Sequence, residues 1–182
     1  MDDPELLARL RLGDEAAFAT LFREHYPGLV LSATRILRAR ALAEEIAQEV
    51  MLELWRRRAD ASIIGSVKGY LHQAARNRSL NRVRQERTAQ RAEPFIRPPT
   101  SAPHADEQAR GREIAAAARE AIAGLSPPQR EVFEMSRVDG LTYPEIAQAL
   151  QISVKTVEAR MGRALKQLRE SLATWLPSGS DW

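Results

Sequence analysis

Apolar residues recur at helical spacing through almost the whole chain, and no stretch shows the alternation that marks a half-buried strand. The spacing predicts a short helix over residues 4–12, which Gly13 ends, and a second helix that Asp14 caps. Pro27 and Gly28 are expected to interrupt the second helix, and a third helix is expected over residues 29–37. The pattern therefore predicts an all-α protein.

A longer helix is predicted over residues 40–58, where one apolar stripe repeats every four residues. The residues of this stripe, which should face the core, are Leu42, Ile46, Val50 and Leu54. The opposite side carries Glu44, Glu45, Gln48, Leu52 and Trp55. Large apolar side chains ringed by polar ones are typical of a surface that binds a protein partner. The alternative, that Trp55 packs on a neighbouring element, stays open from the sequence.

A strongly basic helix is predicted to start after Ser66, which is expected to cap it. Its core side is marked by Val67, Leu71, Ala74 and Ala75. Leu80 and Val83 fall nearly opposite, so the helix either bends or is covered on both sides. A further face carries Tyr70, Asn77, Asn81 and Arg84. A ring that stacks, amides that read base edges and arginines that hold phosphates suit unstacked single-stranded bases, and a merely solvated basic face is the alternative.

Residues 92–105 contain four prolines, no helical periodicity and few large apolar side chains, which is typical of a linker. The pattern thus predicts two small helical domains, over residues 1–91 and 106–182, joined by a flexible linker. The second domain should open with an alanine-rich helix over residues 106–123. Ser126 and Gln129 then form a capping box for the next helix, with proline at its first position.

The stretch TYPEIAQALQISVKTVEARMGRALKQL predicts two helices joined by a very short turn. Thr142 and Glu145 form a capping box for the first helix, and Ser153 is placed to cap the second. Gln151 and Ile152 make the turn, which must form without the glycine that most easily takes a positive φ.

The second of these helices has two different faces. Its buried face is predicted to contain Val154, Val157, Met161, Leu165 and Leu168. Its outer face carries Lys155, Thr156, Ala159, Gly162, Arg163 and Lys166. Small residues permit close approach and the cations reach base edges or phosphates, so the pair is predicted to be a helix-turn-helix whose second helix enters a DNA major groove. An ordinary helical hairpin within a bundle is the alternative.

The distribution of charge supports a nucleic-acid partner more than the net charge does. The whole chain carries only +3, but residues 68–91 hold seven lysines and arginines against Glu86 alone, which is +6. A local excess of this kind is typical of a phosphate-binding surface.

Other classes of protein find little support in the sequence. There is no cysteine, and the three histidines lack ligand spacing, so no metal site and no cofactor are expected. The short signatures of phosphate loops, nucleophile elbows and zinc proteases are missing, which argues against an enzyme without excluding one. No apolar run approaches membrane-spanning length and the acidic start lacks a signal peptide's basic region, so a cytoplasmic protein without membrane insertion is expected.

Three motifs together carry a family resemblance: AEEIAQEVMLELW, GYLHQAARNRSLNRVRQER, and LSPPQREVF followed by GLTYPEIAQALQISVKTVEARMGRAL. They resemble a bacterial RNA polymerase sigma factor of the extracytoplasmic-function group, over about residues 14–91 and 106–170. The resemblance implies a protein that binds core RNA polymerase and directs it to promoter DNA, both duplex and melted. It also implies an anti-sigma factor as a further partner.

The resemblance assigns candidate roles to three sets of residues. Those implied for polymerase binding are Glu44, Glu45, Gln48, Glu49, Leu52 and Trp55. Those implied for opening and reading the minus-ten element, helped by the loop over 60–65, are Tyr70, Asn77, Arg78, Asn81, Arg82 and Arg84. Those implied for reading the minus-thirty-five element are Lys155, Thr156, Glu158, Ala159, Gly162, Arg163 and Lys166. Glu158 and Ala159 lack the positive charge or hydroxyl that some relatives have there.

Two other interpretations remain. SPPQREVF with LTYPEIAQALQISVKTVEARM is also similar to the DNA-binding end of LuxR-type regulators, but the N-terminal half lacks the alternating strands and helices of a receiver domain. An enzyme with an appended DNA-binding domain is the third class, and no catalytic constellation supports it.

Overall fold

The structure, a computed structural model, describes residues 3–59, 66–90 and 109–173, and every regular element in these ranges is an α-helix. The helices are α1 (Asp3–Arg11), α2 (Glu15–Leu37), α3 (Arg40–Arg56), α4 (Val67–Gln90), α5 (Ala109–Ala123), α6 (Pro127–Arg137), α7 (Tyr143–Leu150) and α8 (Val154–Ser171). The all-α prediction is confirmed. The predicted linker over 92–105 and the loop over 60–65 lie outside the described residues.

The start of α2 forms as predicted, but its interruption does not occur. Gly13 takes a φ of +82° after α1, and the Asp14 carboxylate accepts hydrogen bonds from the first backbone N–H groups of α2. The helix then continues through Pro27 to Leu37, so the prediction of a break there was wrong. A proline in a helix interior costs one backbone hydrogen bond. Burial of Leu21 and Leu29 on either side of it holds both halves of α2 against one core and offsets that cost.

The N-terminal core is formed by α1 to α4, with α2 packed against the other three. Ile46, Val50 and Leu54 of the predicted α3 stripe are buried, but Leu42 is only half-buried. Met51, which the period of four had left out, is 1% exposed and completes the stripe. Each fully buried side chain of this size stabilises the fold by about 1.5–3 kcal/mol. α3 ends at Arg56, two residues before the predicted end.

The C-terminal helices form two further apolar clusters. One lies between α6, α7 and α8, and the other joins α5 to the second half of α8. Arg130 at the start of α6 donates hydrogen bonds to the carbonyls of Ile122 and Ala123 at the end of α5, and to that of Leu125 in the following turn at 2.9 Å. These bonds satisfy terminal carbonyls that have no partner within their own helix.

The basic helix α4 lies between the N-terminal core and α7, and it runs through residues 76–79 without interruption. Leu80 and Val83 are half-buried, so the side of α4 opposite the core is partly covered. Gly69 makes the close approach to α7 possible. A Cβ atom at this position would lie 2.8 Å from the Gln148 side-chain oxygen and 3.3 Å from the Glu145 backbone carbonyl oxygen.

Candidate nucleic-acid interface

The turn before α8 has the geometry of a helix-turn-helix. At the start of α7, the Glu145 carboxylate accepts a hydrogen bond from the Thr142 backbone N–H at 2.7 Å, which confirms the capping box. Gln151 ends α7 in the left-handed region at φ +56°, so this turn forms without glycine. The Ser153 hydroxyl then accepts from the Thr156 N–H at 3.1 Å and caps α8 as predicted.

The buried face of α8 differs from the prediction at two positions. Val157, Met161 and Leu168 are buried as expected, but Val154 is 39% and Leu165 is 37% exposed. Ala164 is fully buried instead, against the end of α5. The cause is that α5 packs on a different side of α8 from α6 and α7. The covered part of α8 therefore includes Ala164 and leaves Leu165 partly exposed.

The outer face of α8 places the predicted minus-thirty-five residues together on one exposed surface. The exposed residues are Lys155, Glu158, Ala159, Gly162, Arg163 and Lys166. Thr156 is the exception, since it is half-buried and its hydroxyl lies 2.8 Å from that of Ser153. Among the residues that the structure describes, no atom apart from the adjoining residues and nearby backbone of α8 itself lies within 4 Å of the position of a Cβ at Gly162, so another molecule has room to approach the helix there.

The predicted minus-ten residues of α4 separate into two groups. Asn77, Asn81 and Arg84 are exposed along one row, and the Asn81 side-chain oxygen accepts a hydrogen bond from Arg84 at 3.2 Å. Tyr70 belongs to the same row, but it is half-buried and packs against the N-terminal core. The row therefore offers two amides and one guanidinium beside the edge of a partly covered ring.

Arg78 and Arg82 form the second group and, together with Asn81 of the row, line a cleft between α3 and α4. Arg78 lies 3.8 Å from Glu49, which belongs to the predicted polymerase-binding set, and Arg82 lies 3.7 Å from Glu86. Both pairs are long and largely exposed, so each is worth about 1 kcal/mol at most. The cleft thus brings two predicted polymerase-binding residues, Glu45 and Glu49, together with three predicted minus-ten residues.

The predicted polymerase-binding residues share one side of α3. Glu45, Gln48 and Glu49 are exposed, and Leu52 is 44% exposed. Glu44 is half-buried, and it accepts a hydrogen bond from Arg40 at 2.8 Å.

Trp55 does not stand free on that side of α3. Its ring packs 5.1 Å from that of Phe18, and the Arg58 guanidinium lies 4.4 Å from its centre. Of the two alternatives left open for Trp55, packing on a neighbouring element is the one observed.

Sequence reasoning missed an ionic cluster between α2 and the C-terminal helices. Arg35 donates a hydrogen bond to Asp139 and lies 3.4 Å from Glu134. Burial raises the pKa of Asp139, and the hydrogen bond from Arg35 offsets only part of that effect. Burial would also raise the pKa of Glu145, but hydrogen bonds from Ser66 and Thr142 outweigh it and hold the pKa below its ordinary value.

His72 was also missed as a buried titratable group. It is 2% exposed, and burial, with nearby Lys68 and Arg35, lowers its pKa to about 4. The neutral ring is therefore the folded form at neutral pH. Within the described ranges, no three His, Cys, Asp or Glu side chains are grouped in a way that could hold a metal ion. The same ranges contain no helix long and apolar enough to cross a bilayer.

Comparisons with known proteins agree with this geometry. Residues 21–89 match the Sigma-70 region 2 family and residues 115–168 match the Sigma-70 region 4 family. The chain is 33% identical over 175 residues to the ECF RNA polymerase sigma factor SigK of Mycobacterium tuberculosis (strain ATCC 25618 / H37Rv), covering 92% of this chain and 91% of that protein. SigK of Mycobacterium ulcerans is 31% identical over 172 residues, with 92% and 91% covered.

Two solved structures share the fold. CnrH in complex with the cytosolic domain of CnrY superimposes with a TM-score of 0.65 at 23% identity, covering 94% of this chain and 97% of CnrH. The sigma factor RpoE of Bartonella quintana, in complex with the anti-sigma factor NepR, gives a TM-score of 0.64 at 19% identity, with 86% and 96% covered. The region 2 match in the N-terminal half favours the sigma-factor interpretation over the LuxR-type one. The chain belongs to the extracytoplasmic-function group of RNA polymerase sigma factors, and it binds core RNA polymerase and directs promoter-specific transcription initiation.

Proposed function

We propose that three faces of the molecule carry three separate steps of initiation. The exposed side of α3, with Leu52 at its centre, binds core RNA polymerase. The exposed row of α4 captures the melted minus-ten strand. The outer face of α8 reads the minus-thirty-five duplex.

The observation that carries this proposal is the pairing of two different nucleic-acid surfaces on one chain. The row on α4 offers amides and a guanidinium suited to unstacked bases, which present their edges and π faces. The outer face of α8 instead offers small residues with Arg163 and Lys166 on a rigid, capped helix, which suits a major groove. A protein that bound only duplex DNA would need only the second surface.

The mechanism that follows is recognition and strand separation rather than bond chemistry, and no enzymatic activity is proposed. Contacts to unstacked minus-ten bases offset the few kcal/mol that unstacking costs. We propose that residues 1–91 bind the polymerase and the minus-ten element, that residues 106–182 bind the minus-thirty-five element, and that the segment 92–105 joins them. We expect the protein to act in the cytoplasm. RpoE of Bartonella quintana was solved with an anti-sigma factor, so we expect a protein of that class as a partner of this chain.

Transcription reconstituted from purified components tests the proposal. Core polymerase with this chain and a library of genomic fragments should give RNA whose 5′ ends cluster at sites sharing two upstream elements. Core polymerase alone should give no such clusters. Failure of the chain to add any start site would contradict the proposal, and start sites without a shared upstream element would contradict the role of α8.

A further inference from the structure

The outer face of α8 contains one acidic residue, Glu158, among cations and small side chains. Glu158 is exposed, and among the residues that the structure describes it forms no ion pair with a lysine or arginine, the nearby Lys155 included. A carboxylate in this place opposes binding to DNA phosphates, because like charges repel each other. Unless it meets a hydrogen-bond donor on the DNA, Glu158 therefore weakens binding by this face.

Glu158 lies within the first two turns of α8, and the N-terminal part of a recognition helix is the part that reaches base edges. The start of the helix is fixed by the cap, in which the Thr156 N–H donates to the Ser153 hydroxyl at 3.1 Å. Ala159 and Gly162 lie beside Glu158 on the helix surface, and both are short. The helix backbone is therefore able to approach the DNA closely, and the Glu158 carboxylate extends further toward the bases than either neighbour.

Duplex DNA offers a carboxylate few hydrogen-bond donors. An ionised carboxylate only accepts hydrogen bonds, and the phosphates are themselves negatively charged. In the major groove the donors are the N4 amine of cytosine and the N6 amine of adenine. The adenine amine lies beside the N7 acceptor of the same base, which repels a carboxylate, whereas the major-groove edge of cytosine presents its amine alone. Cytosine is therefore the base that suits Glu158.

Lys155 completes the pattern that a G·C pair requires. It precedes Glu158 by three residues, so the Cβ atoms of the two residues lie about 5–6 Å apart on the helix surface. The guanine of a G·C pair presents two acceptors, O6 and N7, on the same groove edge as the cytosine amine. A cation and a carboxylate on neighbouring positions match these acceptors and this donor, and the two side chains are not engaged in an ion pair with each other.

We propose that Glu158 is a specificity-determining residue of the minus-thirty-five surface and accepts a hydrogen bond from the N4 amine of a cytosine in that element. The inference rests on the proposed role of α8 and adds the identity of one base to it. A glutamine at this position would present an amide, which pairs with N6 and N7 of adenine. Glu158→Gln should therefore change the preferred base from cytosine to adenine, and Glu158→Ala should remove the preference.

Transcription by core polymerase with the full-length chain tests this assignment on a promoter found for the wild-type chain. Each base pair of the minus-thirty-five element is changed in turn to the other three, and RNA from the pooled templates is counted by sequencing. With the wild-type chain, at least one position should favour cytosine over each other base by about fivefold or more. Glu158→Ala should flatten the preference at one such position and leave the others as they are, and Glu158→Gln should favour adenine there.

Glu170→Gln is the matched control, because Glu170 is exposed in the last turn of the same helix and loses the same charge. Its base preferences should equal those of the wild-type chain. Circular dichroism should show every variant folded like the parent chain, since alanine and glutamine both favour helix.

Two results would overturn the proposal. One is a set of base preferences that stays the same in both Glu158 variants. The other is a uniform gain in RNA from every template, which would mean that Glu158 only repels phosphates. Either result would leave the proposed function standing, because that function is judged by the start sites that the wild-type chain gives with core polymerase.

Discussion

Leu52→Ala should weaken polymerase binding with little loss of stability, because Leu52, unlike Trp55, does not pack against the N-terminal core. Leu52 is 44% exposed and does not belong to the N-terminal core cluster. Truncating it should therefore lower the free energy of unfolding by about 1 kcal/mol or less. If it is a central anchor of the polymerase surface, the same change should weaken binding by about 2 kcal/mol, or ~30-fold.

Trp55→Ala should lower the free energy of unfolding as well as the affinity for core polymerase. The indole packs on Phe18 and lies under the Arg58 guanidinium, so its loss removes an aromatic pair and a cation–π contact. We expect a loss of about 2–3 kcal/mol of stability, less than for a fully buried aromatic because Trp55 is half-buried. A polymerase-binding defect in this variant would therefore not show by itself that the ring touches the polymerase.

The assay pairs urea unfolding with equilibrium binding to immobilised core polymerase. Ile114→Ala serves as the matched control, because Ile114 is 46% exposed on α5, outside the proposed surface. It should change neither quantity by more than a few tenths of a kcal/mol. The reasoning fails if Leu52→Ala binds core polymerase as tightly as wild type, or if Ile114→Ala weakens binding equally.

Three further predictions concern α8 and α4. Arg163→Ala should weaken binding to minus-thirty-five duplex by about 1–3 kcal/mol in a mobility-shift assay; an equal loss in Arg137→Ala, an exposed arginine of α6, would argue against a specific contact. Asn77→Ala combined with Asn81→Ala should abolish permanganate reactivity of promoter thymines without changing polymerase binding, and a wild-type footprint would refute this role. Because His72 has a folded-state pKa of about 4, stability should fall as the pH drops from 6.5 toward 4. The loss should approach about 3 kcal/mol. His72→Leu should remove that part of the pH dependence in urea unfolding, and a parallel profile would contradict the assignment.

The helix ends were predictable because their causes are local. Asp14, Thr142 and Ser153 each cap a helix through contacts within three residues in the chain, and such short spacing can be read directly from the sequence. The outer face of α8 follows for the same reason, since helical period alone decides which residues share a side. These regularities were sufficient to place the predicted minus-thirty-five residues on one surface.

The errors arose where a neighbouring helix decides the outcome. A period of 3.6 cannot tell whether Leu165 or Ala164 lies in the buried arc, because the direction from which α5 arrives sets that arc. Likewise, nothing near Pro27 shows that both halves of α2 will share one core. The sequence could not decide between the two alternatives for Trp55 for the same reason, since its partner Phe18 lies in another helix.

The basic stretch shows most clearly why a local count of charge differs from available charge. Over residues 68–91 the sequence carries +6, yet three of its cations lie within 4 Å of carboxylates: Arg76 at Glu131, Arg78 at Glu49 and Arg82 at Glu86. Glu131 is 55 residues from Arg76 in the chain, so no sequence window of helical length contains both. To bind DNA, each of these cations must exchange its contact with a carboxylate for one with a phosphate. It therefore contributes less to the affinity for DNA than an unpaired cation would. The electrostatic attraction of this chain for DNA therefore depends on the arrangement of its two halves as well as on its composition.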